Sequence, residues 1–259
     1  MSAREGERQG EPRATGDHFS EVSAAYAEFR PHYPPTLFEF LASRPAKRVC
    51  AWDCGAGSGQ ATVDLAAWFD RVIATDVSAT QIARAPRHPR IEWRVEPAEQ
   101  TTIDAGSIDL VTVATALHWF DHPRFYAEVR RVAAPGAAIA AWVYTPARMD
   151  GEAGVLLRRF ARETVGAYWP PERRHVDEAY ANVPFPFERV SAPDLVLSED
   201  WTLDQLAGYA RTWSSTARYV ARHGVDPVIE LSAQLATVWG QHERRRIEWP
   251  LVILAGRVA

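Results

Sequence analysis

The chain has 259 residues, 47% hydrophobic and 24% charged, with a formal net charge of −4. That composition excludes collagen-like, disordered and membrane classes, and no apolar run approaches the roughly 18 residues a spanning helix needs. An acidic balance argues against nucleic acid as a partner, because phosphate binding calls for a basic field.

Residues 1–16 alternate Arg, Glu, Gly and Gln with almost nothing apolar, the texture of a disordered tail. This polar start lacks the apolar core of a secretory signal, so a cytoplasmic location is expected. Residues 17–45 read as a helical cap. Phe19, Val22, Tyr26 and Phe29 recur at helical spacing, the cluster Pro31, Pro34 and Pro35 breaks the chain, and Leu37, Phe38 and Leu41 suggest a second short helix.

Residues 46–145 change texture. Short apolar or β-branched runs at 49–52, 72–75, 91–95, 110–113 and 139–143 alternate with helical segments, the βαβ rhythm of a doubly wound, mostly parallel sheet. Ser78 with Gln81 predicts a capping box, and Pro123 suits the first turn of a helix that buries Phe125, Val129 and Val132. Pro135-Gly136 is expected to stop that helix ahead of the fifth strand. Residues 146–185 read as an Arg-rich helical insertion, with Val155, Leu156, Phe160 and Val165 at core spacing. In 186–259 a strand is expected near 190–197. Thr202 and Gln205 then cap a helix through Leu206, Tyr209, Trp213 and Val220, and a final strand at 249–258 returns antiparallel. The whole of 17–259 is read as one α/β domain with a seven-stranded sheet.

Two counts remove whole chemistries. The only cysteines, Cys50 and Cys54, stand about 13 Å apart if they share a strand, beyond disulfide reach and too few for a cysteine zinc site. Lys47 is the sole lysine, preceded by Ala46 rather than the Gly of a phosphate-binding loop, and Ser43 stands where a Tyr-x-x-x-Lys dehydrogenase needs tyrosine.

The most informative segment runs from Asp53 through Gly55, Gly57 and Gly59 into a helix that opens at Gln60. Glycines there let the backbone approach a ligand, and Asp76, 21 residues after Gly55, is placed to accept hydrogen bonds from ribose hydroxyls. The third glycine of a dinucleotide fingerprint is replaced by Gln60, and Asp53 would repel a pyrophosphate. Asp53 suits instead an ammonium or a sulfonium. S-adenosylmethionine offers both, together with the ribose.

The sequence resembles the class I S-adenosylmethionine-dependent methyltransferases, and more narrowly the group that includes trans-aconitate methyltransferases. The resemblance rests on residues 26–34 (Tyr-Ala-Glu-Phe-Arg-Pro-His-Tyr-Pro), 53–60, Asp76-Val77-Ser78, Ala98-Glu99, 107–111, 116–121 and 131–136, and covers 18–145 well and the C-terminal third loosely. It implies a Rossmann-like methyltransferase fold with an antiparallel C-terminal strand, an N-terminal helical cap and a helical lid. It also implies roles. Asp53, Gly55 and Gly57 would hold the methionine end, Asp76 the ribose, Val77 the adenine face, and Ala98 and Glu99 its polar edge. Ala114 and Thr115 would touch the methionine amino group, while Tyr26 and Arg30 would close over the cofactor. Ala137 replaces the second Gly of the usual Pro-Gly-Gly, and Thr115 stands where relatives often have Gln.

Methyl transfer from a sulfonium needs alignment and exclusion of water more than covalent help. Trp119, Tyr144 and Trp213, from a chain with ten tryptophans, are expected to line the acceptor pocket; core packing is the alternative for each. His118 follows the fourth strand at the ligand-binding edge, and could act as base, orient the substrate or be purely structural. His118 and His122 have metal-ligand spacing, but Pro123 interrupts the helix and no third ligand is nearby, so no metal is expected. Arg211, Arg218 and Arg222, with Ser215, would share one helix face; a solvated face is the ordinary reading of such a cluster, and receipt of an anion the alternative. The expected activity is methylation of a small-molecule acceptor, at oxygen of a carboxylate or hydroxyl, with N- or C-methylation as alternatives. The Ala-Leu-His-Trp stretch lacks the Asn-Pro-Pro-Tyr-like turn of amino-methylating enzymes. A nicotinamide-dependent oxidoreductase and a cofactor-binding module without activity are the rival classes, and oligomeric state is not legible.

Overall fold

The computed structural model describes residues 29–240 and 244–258; the tail, the first predicted helix and Tyr26 lie outside them. Helix α1 (Pro35–Ala42) starts with proline in its first turn, where no amide bond is lost, and buries Leu37, Phe38 and Leu41. The sheet follows: β1 (Cys50–Cys54), β2 (Arg71–Asp76), β3 (Ile91–Val95), β4 (Ile108–Ala114), β5 (Ala133–Tyr144), β6 (Glu188–Val190), β7 (Leu195–Trp201) and β8 (Arg245–Arg257). Helices α2 (Gln60–Leu65), α3 (Ala79–Arg84) and α4 (His122–Val132) serve as crossovers between the parallel strands.

Across the sheet the order is β3-β2-β1-β4-β5-β8-β6, with β1 to β5 parallel and β8 antiparallel to β5, β6 and β7. Central strands are buried on both faces, which is why they read as continuous apolar runs rather than alternating ones. One face packs Ala51, Leu110 and Trp142 against α1, α2 and the C-terminal helices. The other packs Trp52, Val111 and Ile139 against Phe125, Val129 and Val132 of α4.

Where seven strands were predicted, the structure has eight. The expected strand near 190–197 is two pieces, β6 and β7, separated by residues 191–194; Pro193 has no N–H to donate to a ladder. Both pieces pair with β8, so the sheet is still seven positions wide.

The insertion is helical but in a different phase. Helix α5 (Gly151–Arg159) runs into a wide π-type turn (Phe160–Thr164), and then comes the short α6 (Arg173–Asp177). Ala153, Leu157, Phe160 and Val165 are buried, whereas Val155 is 52% exposed and Leu156 half-buried. A five-residue step from Phe160 to Val165 fits the wide turn and defeats a search for α-helical period. The helix expected through Leu206 and Val220 is likewise two, α7 (Leu203–Arg211) and α8 (Ser214–His223), followed by α9 (Val228–Trp239). At the break, the hydroxyls of Thr212 and Thr216 donate to the carbonyls of Tyr209 (2.7 Å) and Ala210 (2.8 Å), satisfying the open end of α7. The Thr202–Gln205 capping box forms in full, while at Ser78 only the serine half is made.

Candidate functional site

Strand β1 delivers the chain into the glycine turn, where Gly55 and Gly57 have φ of +63° and +57°. A Cβ on Gly55 would lie 2.7 Å from the Ala116 Cβ and 3.2 Å from the Phe120 ring, so this glycine lets the turns after β1 and β4 touch. A Cβ on Gly57 would meet nothing within 4 Å, so the turn is open on that side. Bordering it, Asp76 ends β2: its Oδ2 accepts the Gly57 amide (2.9 Å) and its Oδ1 the Ser78 amide (2.8 Å). Burial pushes the Asp76 carboxyl up, and those two amides oppose the shift. Val77 beside it is 58% exposed, and Ala98 is buried. Glu99 accepts the Asp121 amide (2.9 Å), tying the loop after β3 to the turn after β4.

Asp53 is placed differently from the expectation of direct ligand contact. Its side chain is 0% exposed, and its two oxygens accept the hydroxyls of Thr62 (2.6 Å) and Thr112 (2.8 Å). The carboxylate therefore braces the start of α2 against β4 beneath the glycine turn, and any effect on a ligand acts through the field of its charge. Desolvation raises its pKa to about 6, with the two threonines opposing and the Asp76 charge adding to the rise.

Beyond β4 the chain turns sharply. Ala114 is half-buried at the strand end, and Thr115 holds φ +55°, unusual for a branched residue, with its amide donating to the Trp142 carbonyl (2.8 Å). A 3₁₀ turn (Leu117–Trp119) then presents His118, whose Nδ1 lies 2.9 Å from the Tyr180 hydroxyl. Burial, and then His175, Arg173 and His122, hold the His118 ring down to about 3, so it is neutral at physiological pH.

A cavity of about 1300 Å³ opens at the carboxyl ends of β4 and β5, between them and the insertion. It brings together Thr115, His118, Trp119, Tyr144, Trp213 and Arg30, all singled out in the sequence. Arg30 donates to the Tyr144 hydroxyl and to the Thr212 carbonyl (3.3 Å), binding the N-terminal segment to the cavity rim. Trp142, in contrast, is 0% exposed and belongs to the core. The expected Arg211–Arg218–Arg222 face does not exist. Arg211 sits on α7 and pairs with Asp226 (2.8 Å), Ser215 is fully buried, and of the three arginines only Arg218 reaches the cavity.

Other arginines take that place. Arg148, Arg158 and Arg162 line the cavity, and among the described residues none of them has a carboxylate within 4 Å. On the same stretch the Arg159–Glu163 pair (2.8 Å) neutralises itself. Arg158 and Arg162 form a like-charged i,i+4 pair, a mildly unfavourable arrangement on a bare helix. Sequence reasoning saw an Arg-rich helix here but not which face was left without acids. It also missed Tyr180, for which no local pattern gives a signal, and the threonine brace at Thr62 and Thr112. His122 reaches the Leu117 carbonyl (3.0 Å) rather than joining His118.

A doubly wound sheet with an open glycine turn beside an acid at the end of its second strand defines a class, enzymes that hold an adenosine-containing cofactor at the carboxyl edge. The comparisons with known proteins narrow it. Residues 52–141 match the family model described as "Methyltransferase domain". A "Putative methyltransferase" of Dictyostelium discoideum is 34% identical over 228 residues, covering 86% of this chain and 87% of the relative. An "Uncharacterized methyltransferase" of Mycobacterium tuberculosis is 36% identical over 47% of this chain and 49% of its own. A solved structure, "Putative Type II Methyltransferase from Anaeromyxobacter dehalogenans", has 44% identity and a TM-score of 0.82, covering 89% of this chain and 98% of that one. The chain belongs to the S-adenosylmethionine-dependent methyltransferase family, and S-adenosylmethionine is its cofactor. Among the described residues, no helix is long and apolar enough to cross a membrane.

Proposed function

We propose that the protein methylates a carboxylate oxygen of a small anionic acceptor, and that it sits within the group that includes trans-aconitate methyltransferases. The observation that supports this reading is the cavity wall: Arg148, Arg158, Arg162 and Arg218 line it with no carboxylate within 4 Å of them among the described residues, and they outnumber its two acids, Glu172 and the Arg173-paired Asp177, in a chain of net charge −4. Guanidinium groups suit planar carboxylates, and an anion would relieve the repulsion between Arg158 and Arg162.

When bound, S-adenosylmethionine supplies an electrophilic methyl group on a positively charged sulfur. The open side of Gly57 leaves room for the backbone to meet it, and each Asp76 oxygen keeps a lone pair for a ribose hydroxyl. Exposed Val77 and the adjoining Ala98 and Glu99 suit the adenine, with Ala114 and Thr115 near the methionine end and the Asp53 charge behind it. Trp119, Tyr144 and Trp213 exclude water and offer aromatic faces to a cationic centre, worth about 0.5–2 kcal/mol each. A carboxylate needs no base to be a nucleophile, which agrees with a His118 ring held at about 3.

The test is incubation with methyl-labelled S-adenosylmethionine and matched panels of small carboxylic acids, alcohols and amines. Base-labile methyl esters from the acids are the expected products. Labelling confined to alcohols or amines would overturn the carboxylate reading. The double variant Arg158→Gln, Arg162→Gln should raise KM for the acid by about tenfold or more while kcat changes little.

A further inference from the structure

His118 faces the cavity, yet what it can do there depends on which nitrogen bears its proton. The residue that decides this is not in the cavity wall. Tyr180 follows α6, is 1% exposed, and puts its hydroxyl 2.9 Å from His118 Nδ1. The turn that brings it there is strained: Ala179 and Tyr180 are consecutive non-glycine residues with φ of +53° and +58°. It is pinned on both sides, because the Tyr180 amide donates to the His175 carbonyl (2.8 Å) and the Val183 amide to the Tyr180 carbonyl (3.1 Å). Together these fix the phenol against the ring.

The direction of the hydrogen bond follows from counting donors. The Tyr180 side chain is buried, and the one hydrogen bond its hydroxyl makes among the described residues is to Nδ1. If Nδ1–H donated, the phenol could only accept. The phenolic proton would then be buried without an acceptor, since among the described residues Nδ1 is the only one in reach. Donation from Tyr180 to Nδ1 gives both the phenolic proton and the ring nitrogen a partner.

We propose that Tyr180 is a positioning residue that locks His118 as the Nε2–H tautomer, so that the ring offers the acceptor a hydrogen bond and not a base. Only the partner of that Nε2–H rests on the carboxylate reading; the tautomer itself does not. The groups facing the ring are Trp119 on its own turn, His122 on α4, Arg173 and His175 on α6, and Tyr180. The cations among them oppose its protonation.

The experiment is nitrogen-detected NMR of the full chain labelled with ¹⁵N-histidine, with His118→Gln to assign the signals. In the wild type, His118 should show an unprotonated Nδ1 and a protonated Nε2, without titration between pH 8 and 5. In Tyr180→Phe, the two signals should converge toward a tautomer average. Bound S-adenosylhomocysteine, measured by calorimetry, and an unchanged unfolding midpoint serve as the check on folding. Should Tyr180→Phe lose the fold, the wild-type spectrum alone decides. A protonated Nδ1 in the wild type overturns the proposal, as does a His118 spectrum that a folded Tyr180→Phe leaves unchanged. Failure of the ester assay with this spectrum intact would sink the carboxylate reading and leave the tautomer lock standing.

Discussion

Replacing Asp53 by Asn should make the protein more stable and bind its cofactor less well. The carboxyl is sealed between Thr62 and Thr112, and its pKa is raised from 3.8 to about 6. A raised acid binds more protons when folded than when unfolded between those two values, so stability falls as pH rises through that window. At neutral pH the full difference, about 2 units, amounts to roughly 3 kcal/mol that the fold forgoes to keep a charge under the glycine turn. Asn mimics the protonated acid and can still bond both threonines. Urea unfolding of the unliganded protein should therefore show wild type and Asp53→Asn similar near pH 4, with the variant ahead by about 2–3 kcal/mol at pH 7.5. Calorimetry with S-adenosylmethionine should show the opposite trend. Loss of a charge close behind an ammonium and a sulfonium costs about 1–2 kcal/mol at an effective dielectric near 20, or about tenfold in Kd. A stability difference that does not change with pH, or a variant that binds S-adenosylmethionine as well as wild type, would refute the reasoning.

The two glycines should separate folding from binding. Gly55→Ala adds a clash with Ala116 to an unfavourable φ and should lower stability by about 2–3 kcal/mol, whereas Gly57→Ala should cost only about 1 kcal/mol in urea unfolding yet abolish measurable cofactor binding. Asp76→Ala removes the proposed ribose acceptor and should weaken S-adenosylhomocysteine binding by about 10–100-fold in calorimetry, or about 1–3 kcal/mol. At Glu128, burial alone would raise the carboxyl, but the Arg131 guanidinium and two donors from Thr101 overcome it and hold it at about 2. Its contribution is thus complete above pH 4.5 and lost as pH falls toward 2. Glu128→Gln should destabilise by about 2 kcal/mol at pH 7 and lose most of that difference at pH 2.5.

The candidate cofactor edge was legible in the sequence because its parts are local. Asp53 to Gln60 is a contiguous strand, turn and helix, and Asp76 stands at the end of the next strand. Buried parallel strands also announce themselves as unbroken apolar runs. What a string of residues does not reveal is which atoms face solvent. Asp53 reads as a ligand contact by position, yet two threonines, 9 and 59 residues away, close over it. The same holds for the acceptor side. The i,i+4 repeat of Arg158 and Arg162 is visible, but their face becomes a cavity wall only when α8 folds across from the insertion. The wide turn at Phe160–Thr164 and the break at Thr212 are set by tertiary packing and threonine hydroxyls, so helical period misplaced Val155 and Leu156 and merged α7 with α8. Tyr180 lies 62 residues from the histidine it touches, and only the strained turn at Ala179 brings the two together.

The proposed function requires donor and acceptor to meet between the glycine turn and the arginine wall, and a crystal structure with S-adenosylhomocysteine measures this directly. Both ribose hydroxyls should lie on Asp76, the Gly57 backbone should face the ligand, and the sulfur should point into the cavity bounded by His118, Tyr144 and Trp213. A ligand whose ribose sits away from Asp76, or whose sulfur points out of that cavity, would contradict the account.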